Sequence, residues 1–301
     1  MSGRVYALGD SQRKQGTEPI LRSASKLLSG NPFRLSGNDT VKDFIHGFWE
    51  GQARTHGASH VASWGDNFMI ALEIETIGKH LRDGDAVLDV GCANGYSTFR
   101  QLEHRQFRQM VGIDFSGAMI AAARAAASER GLNGQVEFRE GDVRHLDFPD
   151  SSFDVVYTTR VLINLPTWEQ QVQGIRECLR VARPGGTVVL SEAFWEPLVL
   201  LNAVRTLCRL VPLVEHDFNR YLKKPRLEAL LSSLKLDFAV EEFSSVYYLG
   251  SRLLRELVTD ASAYPGYSNP INEVFYRIER DYSGGGFGIQ QAYVIRKPAA
   301  G

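Results

Sequence analysis

The sequence is short of several things, and each shortage excludes a class of protein. Three cysteines in 301 residues, Cys92, Cys178 and Cys208, are too few and too scattered for a disulfide framework or a zinc knuckle. They read as free thiols of a reducing, cytoplasmic compartment. Long apolar runs are missing as well. The strongest candidate, residues 197–204, is bounded by Glu196 and Arg205 and is far too short to span a bilayer. Residues 1–16 are polar and carry no signal-peptide core. Nor is there a basic surplus: 34 basic against 35 acidic side chains leave a formal charge of -1, which disfavours a general nucleic-acid binder. Metal-ligand spacings, internal repeats and low-complexity segments are also missing. What remains, 44% hydrophobic and 23% charged, is the composition of an ordinary globular protein.

Four stretches can be separated. Residues 1–39 read as an N-terminal extension, with a short helical hint at 20–28. Residues 40–85 read as a helical cap segment. There Thr40 and Asp43 form a capping box, and Val41, Phe44, Ile45, Phe48 and Trp49 share one helical face. Ile70, Ile74, Ile77 and Leu81 stripe a second helix. Residues 86–193 alternate strands and helices: strands at 86–90, 110–114, 136–140, 153–158 and 187–192, with helices at 96–106, 117–130 and from Thr167 to Val181. Such alternation folds into a doubly wound, Rossmann-like α/β sheet. In residues 194–301, read as lid insertions and closing strands, helices are expected at 195–213, 226–234 and 252–259. Strands are expected at 238–243 and 287–296, with a Tyr-rich loop at 264–270 between them.

The first strand runs into a glycine-bearing turn, Asp89-Val-Gly91-Cys-Ala93-Asn-Gly95. Such a turn lets the backbone approach a ligand closely and could serve a nicotinamide, a flavin or another nucleotide. Three carboxylates narrow the choice. Asp89, inside the strand, repels a pyrophosphate but suits a cationic amino group. Asp114 ends the second strand, where it can accept from ribose hydroxyls. Asp142 ends the third, where it can accept from an adenine amino group. Each aspartate also has a plainer reading as a cap or turn residue.

In this motif, in Phe153-Asp-Val-Val-Tyr157 and in Leu179-Arg-Val-Ala-Arg-Pro-Gly-Gly186, the chain resembles the class I S-adenosylmethionine-dependent methyltransferases, in particular the small-molecule, ubiquinone/menaquinone-methyltransferase-like subgroup. The resemblance covers roughly residues 60–195 and, more loosely, the final strand. It implies a seven-stranded sheet whose last strand is antiparallel, and S-adenosyl-L-methionine as cofactor. Carried over by position, Gly91 and Gly95 border the methionine moiety and Asp114 holds the ribose. Phe115 and Met119 flank the adenine, while Asp142 and Val143 read its edge. Arg160 lies beside the cofactor and the substrate mouth, and Trp64 closes over the cofactor or serves as a packing anchor. Ala93 replaces the family's second glycine, on the expectation that it keeps a negative φ.

For the chemistry, metal-independent in-line transfer is expected. His216 and His60 are the candidate bases, with His145 behind them, and Asn164 could orient an acceptor. Phe194, Trp195, Leu198, Tyr221, Tyr247, Tyr248, Tyr264 and Tyr267 are candidate lining residues for a small or medium organic acceptor, a hydroxyl of a sugar, glycan or natural-product scaffold. Two further readings stay open. One is a lipid-linked, nucleic-acid or protein acceptor, with the 195–213 helix resting on a membrane surface; the other is a non-catalytic cofactor-binding protein.

Overall fold

In the central strand, Ala86-Val-Leu-Asp-Val90, all five residues are buried, as a strand covered on both faces requires. That pattern belongs to a seven-stranded sheet in a computed structural model that describes residues 38–57, 59–260 and 266–299. The strands are β1 (Ala86–Val90), β2 (Gln109–Asp114), β3 (Glu137–Glu140), β4 (Phe153–Thr159), β5 (Ala182–Ala193), β6 (Asp237–Glu242) and β7 (Gln290–Arg296), in the order β3-β2-β1-β4-β5-β7-β6. β7 alone is antiparallel to its neighbours β5 and β6. The expected Rossmann-like sheet with an antiparallel last strand is therefore what the chain forms.

The helices are α1 (Asn38–His56), α2 (Asn67–Gly78), α3 (Tyr96–Leu102), α4 (Gly117–Glu129), α5 (Trp168–Val181), α6 (Trp195–Leu207), α7 (Lys224–Ser233), α8 (Ser245–Leu249), α9 (Arg255–Val258) and α10 (Ile271–Asp281). Residues 1–37, with the helical hint at 20–28, lie outside the described residues. Local signals start several helices. Ser116 caps α4 by accepting from the Met119 N–H at 3.2 Å, and Thr167 caps α5 by accepting from Gln170.

Alternation along the strands sends side chains to two layers. Leu88, Val90, Val111 and Ile113 join Ile175 and Cys178 of α5 on one face. Val87, Met110, Val155 and Tyr157 meet Met69, Leu72 and Ile77 of α2 on the other. Asp89 shares the parity of Val87 and points into the second layer.

Five expectations are corrected. α1 begins at Asn38, so Thr40 lies within the helix instead of capping it; its side chain and those of Val41 and Asp43 lie outside the described residues. The 195–213 helix stops at Leu207, because Arg209 turns to φ 60° and Pro212 cannot continue it. The turn at 183–186 is an excursion inside a longer β5, whose register with β4 shifts between Phe153 and Val155. The 252–259 helix is a composite: α8 passes through a π-helical turn, Gly250–Leu254, into α9. Finally, α10 was not anticipated, although Ile271, Val274, Phe275 and Ile278 follow helical spacing. It packs Phe275 where a Cβ on Gly250 would sit, 2.1 Å from the ring. β7 accordingly starts at Gln290, three residues later than expected.

Candidate cofactor and active site

The carboxyl ends of β1, β2, β4 and β5 converge on a cluster of buried acids. Asp89 is 1% exposed, and its Oδ2 accepts from the Thr98 hydroxyl of α3 at 2.6 Å. Its Oδ1 and the neighbouring Tyr157 hydroxyl miss full hydrogen-bond geometry, though the hydroxyl is close enough to hold the carboxyl pKa down against burial. Burial, reinforced by the charges of Asp114 and Glu73, pushes the Asp89 carboxyl up to about 7. A buried carboxylate among other acids favours a cationic ligand.

The turn after β1 is built for close approach. Gly91 has φ 80°, and a Cβ there would stand 1.9 Å from Val161 Cγ2. Gly95 has φ 78° and opens α3 with no side chain of its own to cap it; the Asn94 side chain accepts from the Tyr96 N–H at 3.3 Å. Ala93 adopts φ 47°, which overturns the expectation of a negative φ; the conformation for which the family uses glycine is retained despite the Cβ. Asp114 supports it, because its Oδ2 accepts from the Ala93 N–H at 3.0 Å while Oδ1 accepts from Ser116 N–H at 2.9 Å. Burial lifts Asp114 to about 6. The carboxylate keeps acceptor capacity for a ligand hydroxyl.

The other expected contacts are placed less uniformly. Phe115 is half-buried and meets the His46 ring at 5.7 Å, and Met119 is buried against Ala53 and Ala62, with Ala93 alongside. Asp142 is engaged by Arg144, whose Nε lies 2.9 Å from Oδ1, and Val143 packs inward against Gly174 of α5. Trp64 and Arg160 are brought together: the guanidinium lies 4.6 Å from the indole centroid. Arg160, at φ 55°, also holds Glu73 through Nε at 3.3 Å.

Of the histidines, His60 is half-buried beside the Tyr96 ring, and burial lowers its pKa. His216 is exposed and stacked on Phe218, which α1 meets with Phe44, Phe48 and Trp49. His145 lies on the outer surface, lining a recess along α5 with Glu169 and Arg176. Asn164 donates to the Arg160 carbonyl at 2.9 Å. Tyr247 and Tyr248 are buried around Arg252, whose guanidinium lies 5.9 and 5.2 Å from their rings and 4.8 Å from Tyr267. Arg252 is paired with buried Asp66 at 2.5 Å. Tyr221 is also on this side, its hydroxyl pushed up to about 12 by burial. Phe194 and Leu198 are core residues, and Tyr264 lies outside the described residues. Among the described residues, no group of three or more His, Cys, Asp or Glu side chains could hold a metal ion.

Four residues of this region escape sequence reading. Glu192 is fully buried and accepts from Thr158 Oγ1 at 2.7 Å and from the Val161, Leu162 and Ile163 N–H groups. It thereby holds the turn after β4, and with it Val161, against Gly91. Glu73 accepts from Ser191 Oγ at 2.7 Å. Asn94 donates to the carbonyls of Gly57 and Ser59, both at 2.7 Å, tying the glycine turn to the N-terminal segment. Glu50 of α1 accepts from Ser116 Oγ at 2.7 Å and from Ala118 N–H at 3.0 Å.

Residues 87–186 match the family described as methyltransferase domain. Residues 87–186 are thus a methyltransferase domain of the class I, S-adenosylmethionine-dependent kind. The methyltransferase core is 40% identical over 111 residues to a phosphatidylethanolamine N-methyltransferase of Cereibacter sphaeroides, covering 37% of this chain and 52% of that one. It is 30% identical over 158 residues to a ubiquinone biosynthesis O-methyltransferase of Hahella chejuensis, covering 51% and 63%. The matches span between 28% and 63% of the relatives' own lengths. A phosphoethanolamine N-methyltransferase of Haemonchus contortus shares the fold, with a TM-score of 0.56 at 15% identity over 88% of this chain and 50% of that one. The buried acids, Asp89 among them, and the glycine turn fit the family's cofactor, which carries a sulfonium and an amino group.

Proposed function

We propose that the protein moves a methyl group from S-adenosyl-L-methionine to a small or medium organic acceptor, a hydroxyl of a sugar, glycan or natural-product scaffold, by metal-independent in-line transfer. The observation that carries this is the buried carboxylate Asp89, flanked by the acids Asp114 and Glu73. A phosphate-rich cofactor would meet repulsion there, whereas a cationic one supplies the missing charge. The sulfonium, when bound, makes its methyl electrophilic.

The chain's own residues do the rest. Asp89, Gly91, Ala93 and Gly95 hold the amino-acid end, and Asp114 accepts from the ribose. Phe115 and Met119 enclose the adenine, whose edge meets Asp142 and Val143. Trp64 and Arg160 stack at the acceptor side and exclude water. His60, whose pKa burial lowers, and His216 are the two imidazoles assigned to take a hydroxyl proton. Relatives named for quinone and phospholipid methylation support an organic acceptor of modest size.

Asp114→Ala should abolish cofactor binding in calorimetry while circular dichroism reports an intact fold; unchanged affinity would refute the ribose assignment. Incubation with methyl-labelled cofactor and fractionated cell extract should place label in low-mass acceptors. Label confined to RNA or protein would overturn the acceptor class.

A further inference from the structure

The side of α6 turned away from the core is apolar, an arrangement water disfavours. The helix buries Pro197, Leu198, Leu201 and Arg205, while Trp195, Val199 and Leu200 are exposed on its other side. The face continues past the helix end through Leu207, Val211 and Val214, which are 84%, 79% and 85% exposed. Between Glu196 and Glu215 the only charged residues are Arg205 and Arg209.

The turn carrying these side chains is firmly held. Arg205 is 3% exposed; its Nε and Nη2 donate to the Val211 carbonyl at 3.0 and 2.7 Å, and its Nη1 reaches Glu256 at 3.0 Å. Asn202 donates to the Leu213 carbonyl at 2.8 Å and accepts from the Leu213 N–H at 2.7 Å. The backbone is thus fixed by buried polar groups while Val211 and Val214 are left facing outward. Glu256 also brings α9 alongside, where Leu257 and Val258 are exposed.

We infer that this face, from Trp195 through Val214, docks on the surface of an anionic lipid bilayer. Its charge pattern selects that occupant. Cations rim the apolar surface, with Lys223 6.0 Å from the Trp195 ring centroid at one end and exposed Arg209 near the other. The nearby carboxylates of Glu196, Glu215 and Glu256 are engaged, with the Lys224 N–H, the Tyr221 N–H and Arg205 respectively, and the exposed Asp217 lies beyond the apolar face. An indole beside a lysine, an apolar stripe and basic flanks are what an interfacial helix presents to acyl chains and anionic headgroups. A second copy of this chain is a poorer fit, because a twofold contact would set the patch against itself, arginine toward arginine.

The surface adjoins the proposed acceptor side. α6 starts three residues after Glu192, and the excursion that follows it returns where the Arg220 N–H donates to the Ile163 carbonyl at 2.6 Å, on the turn after β4. The corollary is an acceptor drawn from the membrane, carrying its reactive hydroxyl on a lipid-soluble body. Only this corollary rests on the methyl-transfer reading.

Flotation with mixed phosphatidylcholine–phosphatidylglycerol vesicles tests the docking. The wild-type chain should float with the vesicles, less so at high salt. Leu207→Ser combined with Val211→Ser should weaken partitioning at least about tenfold. Both positions are exposed, so thermal unfolding of the double variant should match wild type; Val214→Asp is the second variant should it not. A wild-type chain that stays in the aqueous phase, or variants that float as well as wild type, would overturn the proposal. So would a wild-type dimer in sedimentation that the double variant converts to monomer, which assigns the face to a second copy. Cofactor affinity, measured in parallel, should be unchanged in these variants, so a failure to dock and a failure of the cofactor reading are told apart.

Discussion

Ala93 keeps φ at 47° where a Cβ is unwelcome. A left-handed conformation costs an L-residue roughly 1–2 kcal/mol, and glycine's extra chain entropy returns about 0.5–1 kcal/mol of any relief. Ala93→Gly should therefore stabilise the free protein by about 0.5 kcal/mol, read from urea unfolding. Glycine keeps the backbone N–H bond to Asp114, so a lower midpoint would mean that the packing of the Ala93 methyl against Met119 outweighs the strain. Two positions earlier the sign reverses. Gly91 faces Val161, which Glu192 holds in place, and a Cβ would lie within 1.9 Å of it. The same one-carbon difference is tolerated at Ala93 and excluded at Gly91 because only the second position faces a clamped neighbour.

Among the elements, α1 docks on α4 through a contact that no local pattern announces. Glu50 supplies a carboxylate at the start of α4, accepting from Ser116 Oγ and Ala118 N–H. Those bonds hold its carboxyl below the usual range. A lowered pKa contributes stability that is present above the ordinary carboxylate pKa and is lost as pH falls through the folded value. Glu50→Ala should cost about 1–2 kcal/mol at pH 7. Glu50→Gln, which keeps an acceptor without the charge, should recover part of that loss in the same melts; equal loss in both would assign the effect to charge alone. The core strands, by contrast, are legible in the sequence, because a buried parallel strand ending in glycine is a local signal. So are the caps Ser116 and Thr167. Glu50, Glu192 and Asn94 are not legible, since each acts on backbone atoms about 30 or more residues away. The π-helical turn at Gly250 is not legible either: Gly250 lies against Phe275, on a helix that the sequence reading does not contain. Asp89 and Asp114 could be placed on their strands from sequence, but the flanking acids of the one and the bond to Ala93 on the other emerge only when the strands are side by side.

Across the whole molecule, a net charge of -1 conceals an uneven distribution: acids collect in the interior at the strand ends, where water cannot screen them. Burial lifts Asp89 and Glu192 to about 7 and Asp114 to about 6. A folded-state pKa above the unfolded value contributes stability that is complete below the unfolded pKa, near 4, and is lost as pH rises through the folded one. The free protein should thus lose stability between pH 5 and pH 8. His60 opposes this, since its lowered pKa favours the folded state at high pH, but it is one partly exposed group against three buried ones. Glu50, Glu137 and Glu177, with lowered values, act in the more acidic range and leave this window to the buried acids. A cationic cofactor reverses the balance, because it is drawn to Asp89 and Asp114 in their ionised forms. Its affinity should tighten by about tenfold or more from pH 5.5 to pH 8, and the thermal stabilisation it confers should grow in parallel. Calorimetry across that range is the check. An affinity independent of pH would mean that these acids are already ionised in the free protein, and that the charge complementarity assigned to Asp89 does not drive binding.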